Sequence, residues 1–341
     1  MHHRGVLATL SGVLFLAVFT LMPLHWAGIG APWASIAVSF VALPLIDALV
    51  GSPRRNDGRP RAIPFVRWIP RLQLPLQAAL LIGAVRLAPE LPMGQLLVFA
   101  VAVGAVTGGM GITVAHELGH RSSRFDRAIA RALLVSVAYG HFFVEHVRGH
   151  HVRVATPDDP ATAPRGMSVY RFVPRSVIGG FRHAWRLERM RLGRRGRSAW
   201  HPSNWVLSGS VLSAGLLALA GLVAGPQGAL LFGVQAVCAF VLLEIVNYVE
   251  HYGLLRRRVD GHYEPVREEH SWNADFAVSN WILFNLQLHS DHHARMNKPF
   301  EQLRTVPDAP QLPAGYPTMV LLALLPPLWF AVMDSRVAAR A

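Results

Sequence analysis

Nine histidines fall in four short stretches whose spacing suits metal chelation. "HELGHR" carries His116 and His120, and "EHVRGHH" carries His146, His150 and His151. "NYVEHYGL" carries His251, and "NLQLHSDHHAR" carries His289, His292 and His293. The pairs His116/His120, His146/His150 and His289/His293 stand four residues apart, which puts each pair on one face of a helix. His151 and His292 sit beside them. Nine imidazoles exceed what one ion can hold and suit two, with four or five nitrogens each. Imidazole serves zinc, copper, iron and nickel alike, so the ligands alone leave the metal open; redox chemistry would exclude zinc. Neutral imidazoles do not offset a cation's charge, and ligating histidines usually donate their second ring N–H to a carboxylate or carbonyl. The candidates for that supporting role are Glu117, Glu145, Asp158, Asp159, Glu250 and Asp291. Glu244 and Asn247, seven and four residues before His251 on one helical face, complete the set.

Two other readings compete. "HELGH" matches HExxH, in which two histidines hold zinc and Glu117 would be the general base of a protease. Such a site needs only three protein ligands and would leave the other histidines without a role. The histidines could also be solvated helix ends, but nine of them gathered on one membrane face is a poor coincidence.

That face follows from the elements that must position the clusters. Of 341 residues 52% are hydrophobic and only 16% charged, where a soluble domain carries about 25% charge. A bilayer span needs roughly 20 mainly apolar residues. Six candidates occur, at about 7–26, 33–50, 73–89, 95–115, 205–224 and 229–249, the first kept as a helix rather than a cleaved leader. The expected fold is therefore an all-α integral membrane protein of six transmembrane helices, one membrane-embedded domain over 1–341. The loop "GSPRRNDGRPRAIPFVRWIPR" holds six arginines, the segment 121–204 sixteen, and Arg256 to Arg258 follow helix six; the opposite loops hold one between them. By the positive-inside rule, the N-terminus and the segments 121–204 and 250–341 are cytoplasmic. All four histidine clusters then fall on that side. The net charge of +13 is topological and does not indicate nucleic acid. One cysteine, Cys238, excludes a disulfide framework or a cysteine metal site. Residues 275–288 are too short to span. In 317–333, Pro326 and Pro327 break the helix ladder, so a surface or re-entrant segment is expected.

The four clusters, with "HVRVATPDDPATA", "EEHSWN" and "APQLPAGYPTMVLLALLPPLWF", resemble the integral-membrane alkane 1-monooxygenases of the membrane fatty-acid desaturase and hydroxylase superfamily. The resemblance runs from about residue 30 to 335. It implies two non-haem iron ions held by His116, His120, His146, His150, His151, His251, His289, His292 and His293. It also implies hydroxylation of an alkane's terminal methyl, with O2 and with electrons from a separate rubredoxin and its NADH-dependent reductase, in a bacterial inner membrane. Two departures are Leu288, where the family usually has arginine, and "HSWNAD" for "HSWNSN"; the first bears on local charge or the electron donor's docking surface. A methyl-aromatic or fatty-acyl substrate on the same site remains open, as does an iron-binding protein without turnover.

On this reading the alkane enters from the bilayer, and helix four lines its slot. Stepping back from His116 gives Thr113, Ile112 and Gly109, in a stretch of small residues that either make room for a chain or let helices pack closely. Met110 and Trp33 are the bulky candidates for stopping the chain. His270 and Trp272 would support the metals, face the electron donor or simply pack. His2, His3, His25, His183 and His201 are given no function, and Tyr139 and His141 no role.

Overall fold

The computed structural model describes residues 2–52 and 64–340, with side chains for 10–52 and 66–340. Arg54, Arg55, Arg59 and Arg61, on which the orientation argument partly rests, lie outside the described residues, as do the side chains of His2 and His3. Among the described residues, regular structure is helical apart from one short hairpin, Arg258–Val259 against His262–Tyr263. Its turn residues Asp260 and Gly261 both have positive φ, the conformation a two-residue hairpin loop demands.

Among the described residues, four helices are long and apolar enough to cross a bilayer: Leu10–Gly28, Val66–Glu90, Met93–His120 and Trp205–His251. A shorter apolar helix spans Ala34–Val50. The pair Tyr316–Ala323 and Pro326–Ala338 is bent by 119° and raises the count to five if taken as one span. That break falls at the expected prolines. The integral membrane character of the chain is thus carried by helix length and apolarity.

The 47-residue helix Trp205–His251 is not straight. Ala224 leaves the helical region and Gly225 takes a φ of 62° just before Pro226. Glycine tolerates the left-handed turn that ends one helix, and proline's fixed φ suits the start of the next. A Cβ on Gly228 would run into the Ala220 carbonyl, whereas eight residues of straight helix would separate the two by about 12 Å. The segment is therefore a helical hairpin, reversing in the loop the sequence marks with "AGPQGA".

Backbone contacts group the chain into two compact units. The first comprises Met1–Val41, Pro60–Phe143 and Leu207–Leu242. Within it, Met93–His120 is the most buried helix and packs through glycine. A Cβ on Gly104 would lie 2.6 Å from Cys238 Cβ, and one on Gly108 would lie 2.7 Å from the Ala239 carbonyl. Backbones can approach this closely only where side chains are absent. Polar groups tie the same helices: Thr107 Oγ1 donates to Gln235 Oε1 at 3.0 Å, Gln235 Nε2 to Ser136 O at 3.0 Å, and Gln77 Nε2 to Ser136 Oγ at 2.7 Å.

The second unit comprises Ala42–Arg59, Val144–Val206 and Leu243–Ala341. Its longest element, the basic helix Val169–Gly193, is anchored by buried Glu188. That carboxylate accepts from Arg148 at 3.1 Å, from Arg191 at 2.6 Å and from the Trp205 amide at 2.8 Å.

Candidate metal centre

Seven of the nine candidate ligands belong to the second unit, and local backbone explains how they meet. His146–His150 is a π-helical turn. Its i→i+5 bonding brings residues five apart over one another, so His151 joins the face of His146. An α-helix would have turned it away. The rings of His146 and His151 stand 4.6 Å apart at their centroids, with Nε2 atoms 3.0 Å apart. The six-residue helix His289–Ala294 carries His289, His292 and His293. Asn273 holds it by receiving the Ser290 amide at 2.8 Å and donating to Ser290 Oγ at 2.7 Å. Trp272 holds the end of the helix that carries His251: its amide donates to Glu250 O at 2.9 Å and its Nε1–H to Tyr252 O at 2.8 Å.

The result is two adjoining groups. His150, His251, His289 and His293 each offer a ligand atom within 4.8 Å of the others, and all four are buried. His146, His151 and His292 do the same, with His292 Nε2 3.2 Å from His151 Nε2. The groups touch through His151 and His293, stacked at 4.3 Å. His289 Nε2 faces His293 Nε2 at 2.9 Å, His251 Nε2 at 3.2 Å and Glu250 Oε2 at 3.3 Å. A proton on one ring bridges one such pair. Four convergent imidazole nitrogens and a carboxylate oxygen are matched together only by a cation, so the donor set fits a metal.

Electrostatics favour the ligating form at His293, and geometry orients His150. Burial, and then the neighbouring imidazoles, push His293 well below its ordinary pKa, keeping it neutral. His150 Nδ1–H donates to Asp159 Oδ2 at 2.9 Å, which turns Nε2 toward His293 Nε2 at 3.3 Å, the side a metal would take. Burial opposes charge on both partners, but their mutual attraction prevails: His150 is held above its ordinary value and Asp159 below. Thr162 Oγ1 (2.6 Å) and the Ala161 amide (3.2 Å) also donate to Asp159.

The other supporting candidates divide. Glu250 is beside His289, and Glu244 and Asn247 are buried on the same helix. Asp291 is buried but neutralised by Arg295 and Lys298 and by the Arg304 amide at 2.9 Å, so it meets cations and not a ligand histidine. Asp158 is exposed. Glu145 accepts from His183 Nδ1 at 2.8 Å; burial raises its pKa and the His183 contact offsets part of the rise. His183 is therefore a buried partner and not the idle histidine the sequence suggests. Its 38-residue separation from Glu145 left no local signal. Leu288 is 3% exposed, so it forms no part of a docking surface; nothing in the structure explains leucine there.

In the first unit, His116 and His120 share a helical face with ring centroids 5.0 Å apart, and Glu117 forms an ion pair with Arg121 at 3.0 Å. A π-helical turn, Thr107–Ile112, precedes them. Met110 and Ile112 are buried, and Thr113 Oγ1 donates to Gly109 O at 2.6 Å. A Cβ on Gly109 would meet nothing within 4 Å, in contrast to Gly108. Trp33 is exposed, just before the helix at Ala34.

Comparison with known proteins agrees with this chemistry. The fatty acid desaturase family profile matches residues 94–323. Alkane 1-monooxygenase 2 of Pseudomonas aeruginosa is 42% identical over 96% of this chain and 91% of its own. Alkane 1-monooxygenase of Ectopseudomonas oleovorans is 40% identical over 89% and 77%. The xylene/toluene monooxygenase hydroxylase component XylM of Pseudomonas putida is 32% identical over 91% and 82%.

Proposed function

Because this chain belongs to the alkane 1-monooxygenase family, we propose that it hydroxylates the terminal methyl of n-alkanes, using O2 and two electrons from a separate rubredoxin served by an NADH-dependent reductase. The observation that carries the reading is the convergence of seven buried histidines in two adjoining groups. We assign two iron ions to these histidines together with His116 and His120. When bound, the irons supply O2 reduction and hydrogen-atom abstraction from an unactivated C–H bond. The chain supplies placement and dryness. Asp159 orients the His150 ring with Nε2 toward the other histidines, Glu250 places a carboxyl oxygen beside His289, and Trp272 and Asn273 hold the backbones that present His251 and His289.

We further assign the chain a single membrane-embedded domain with six transmembrane helices. Ala34–Val50 counts as one and each arm of the 205–251 hairpin as one, since a straight 47-residue helix would be about 70 Å long against a core of about 30 Å. The arginine asymmetry supports a cytoplasmic N-terminus and metal site in an inner membrane. The alkane slot is assigned to Trp33, Gly109, Met110, Ile112 and Thr113; the open space at Gly109 supports it.

Identity to XylM favours one alternative, a methyl-aromatic substrate on the same site. A reconstituted assay with rubredoxin, its reductase and NADH decides, offering octane and xylene separately. Turnover of octane to 1-octanol well above xylene oxidation is expected. Xylene oxidation with no alkanol would overturn the assignment.

A further inference from the structure

The helix Val169–Gly193 carries chemistry that the metal centre does not use. Arg182 and Arg186, four residues apart, are exposed and form no hydrogen bond or ion pair among the described residues. They line a cavity of about 450 Å³ together with Arg153 and His183. The opposite wall is the 158–160 turn. A Cβ on Gly179 would lie 2.9 Å from Pro160 Cβ, so glycine there lets the helix close against that wall. Asp158 is the one carboxylate in the lining, against three guanidinium groups.

His183 makes this more than a basic surface. The residue is 6% exposed, its Nδ1 is engaged by Glu145 at 2.8 Å, and Arg153 Nη1 lies 3.3 Å from the same nitrogen. Its Nε2 is buried with no hydrogen-bond partner. A buried ring nitrogen left unmet costs free energy, and this one borders a cavity with unpaired arginines. Arginine forks match the oxygens of a phosphate, and a ring N–H at Nε2 donates to an anion.

We propose that the cavity between the Val169–Gly193 helix and the 158–160 turn binds a phosphate-type oxyanion through Arg182, Arg186, Arg153 and His183 Nε2. Its volume accommodates a phosphate alone or a phosphodiester with its glycerol. Occupancy fixes the His183 ring and with it Glu145, which directly precedes His146.

The test uses the full chain in an uncharged detergent. Binding of inorganic phosphate and of a water-soluble short-chain phosphatidylglycerol is measured by equilibrium dialysis. Arg182→Ala/Arg186→Ala is compared with Arg189→Ala/Arg194→Ala, which removes equal charge from exposed positions of the same region outside the cavity lining. Saturable binding of one anion per chain is expected, weakened at least tenfold by the first pair and unchanged by the second. Equal affinity for both probes indicates a free anion, and tighter lipid binding a headgroup. Because Arg182 and Arg186 are exposed and unpaired, the variant keeps the wild-type melting temperature; His183→Gln weakens binding by the same route. No saturable binding, or equal loss in both double variants, overturns the proposal. So does a loss confined to rubredoxin-supported turnover, which would make this face a protein contact.

Discussion

Asp159 shows how much one side chain decides. It is fully buried, accepts from His150, Thr162 and the Ala161 amide, and thereby sets which nitrogen of His150 faces the histidine group. Asp159→Asn should keep the shape but lose the charge that fixes the tautomer. We expect a 10- to 100-fold loss of iron affinity, read by competition with a chelator; unaltered affinity would remove Asp159 from the centre. Its presence near the site was readable from "HVRVATPDDPATA", but the sequence offered Asp158 on equal terms. Only the fold turns one inward and leaves the other exposed. Asp291 carries the same lesson, since the adjacency that suggested a histidine partner yields to Arg295, Lys298 and the Arg304 amide. His183 and Glu145 had no shared pattern at all, because their contact is tertiary.

At the scale of elements, apolar runs marked the long helices and Gly-Pro marked the 224–226 reversal, because both are local consequences of composition. The π-helical turns were not legible: a wider turn is stabilised by what surrounds it, and the spacing of His146, His150 and His151 reads as α-helix with one residue out of place. The small-residue stretch before His116 has two jobs that sequence could not separate. Gly104 and Gly108 admit neighbouring backbone, whereas Gly109 borders open space. Gly108→Val should therefore destabilise the first unit by at least the roughly 1–3 kcal/mol of ordinary overpacking, seen as a lower melting temperature. Gly109→Phe should leave melting nearly unchanged and cut turnover of longer alkanes roughly tenfold relative to shorter ones, about 1.4 kcal/mol. Trp33→Ser should extend the accepted chain length; an identical product profile across graded alkanes would contradict its role as a stop.

For the whole molecule, the low charged fraction and the arginine-rich loops identify a membrane protein whose net charge of +13 needs no nucleic acid to explain it. On the proposed function metal would tie its stability to its chemistry, because ions that bind the folded histidine groups and not the unfolded chain stabilise by mass action, about 2.7 kcal/mol at a hundredfold excess over Kd. Stripping iron with a chelator should therefore lower the melting temperature as well as abolish turnover, and restoring iron should recover both. Zinc that restored full turnover would contradict a redox centre. The central claim is monooxygenation at a terminal carbon, and the most direct measurement is the isotope content of the product. Purified protein with rubredoxin, its reductase and NADH is given octane under 18O2. The account predicts 1-octanol carrying one 18O atom at C1; octanol labelled only from water, or no alcohol from iron-loaded protein, would contradict it.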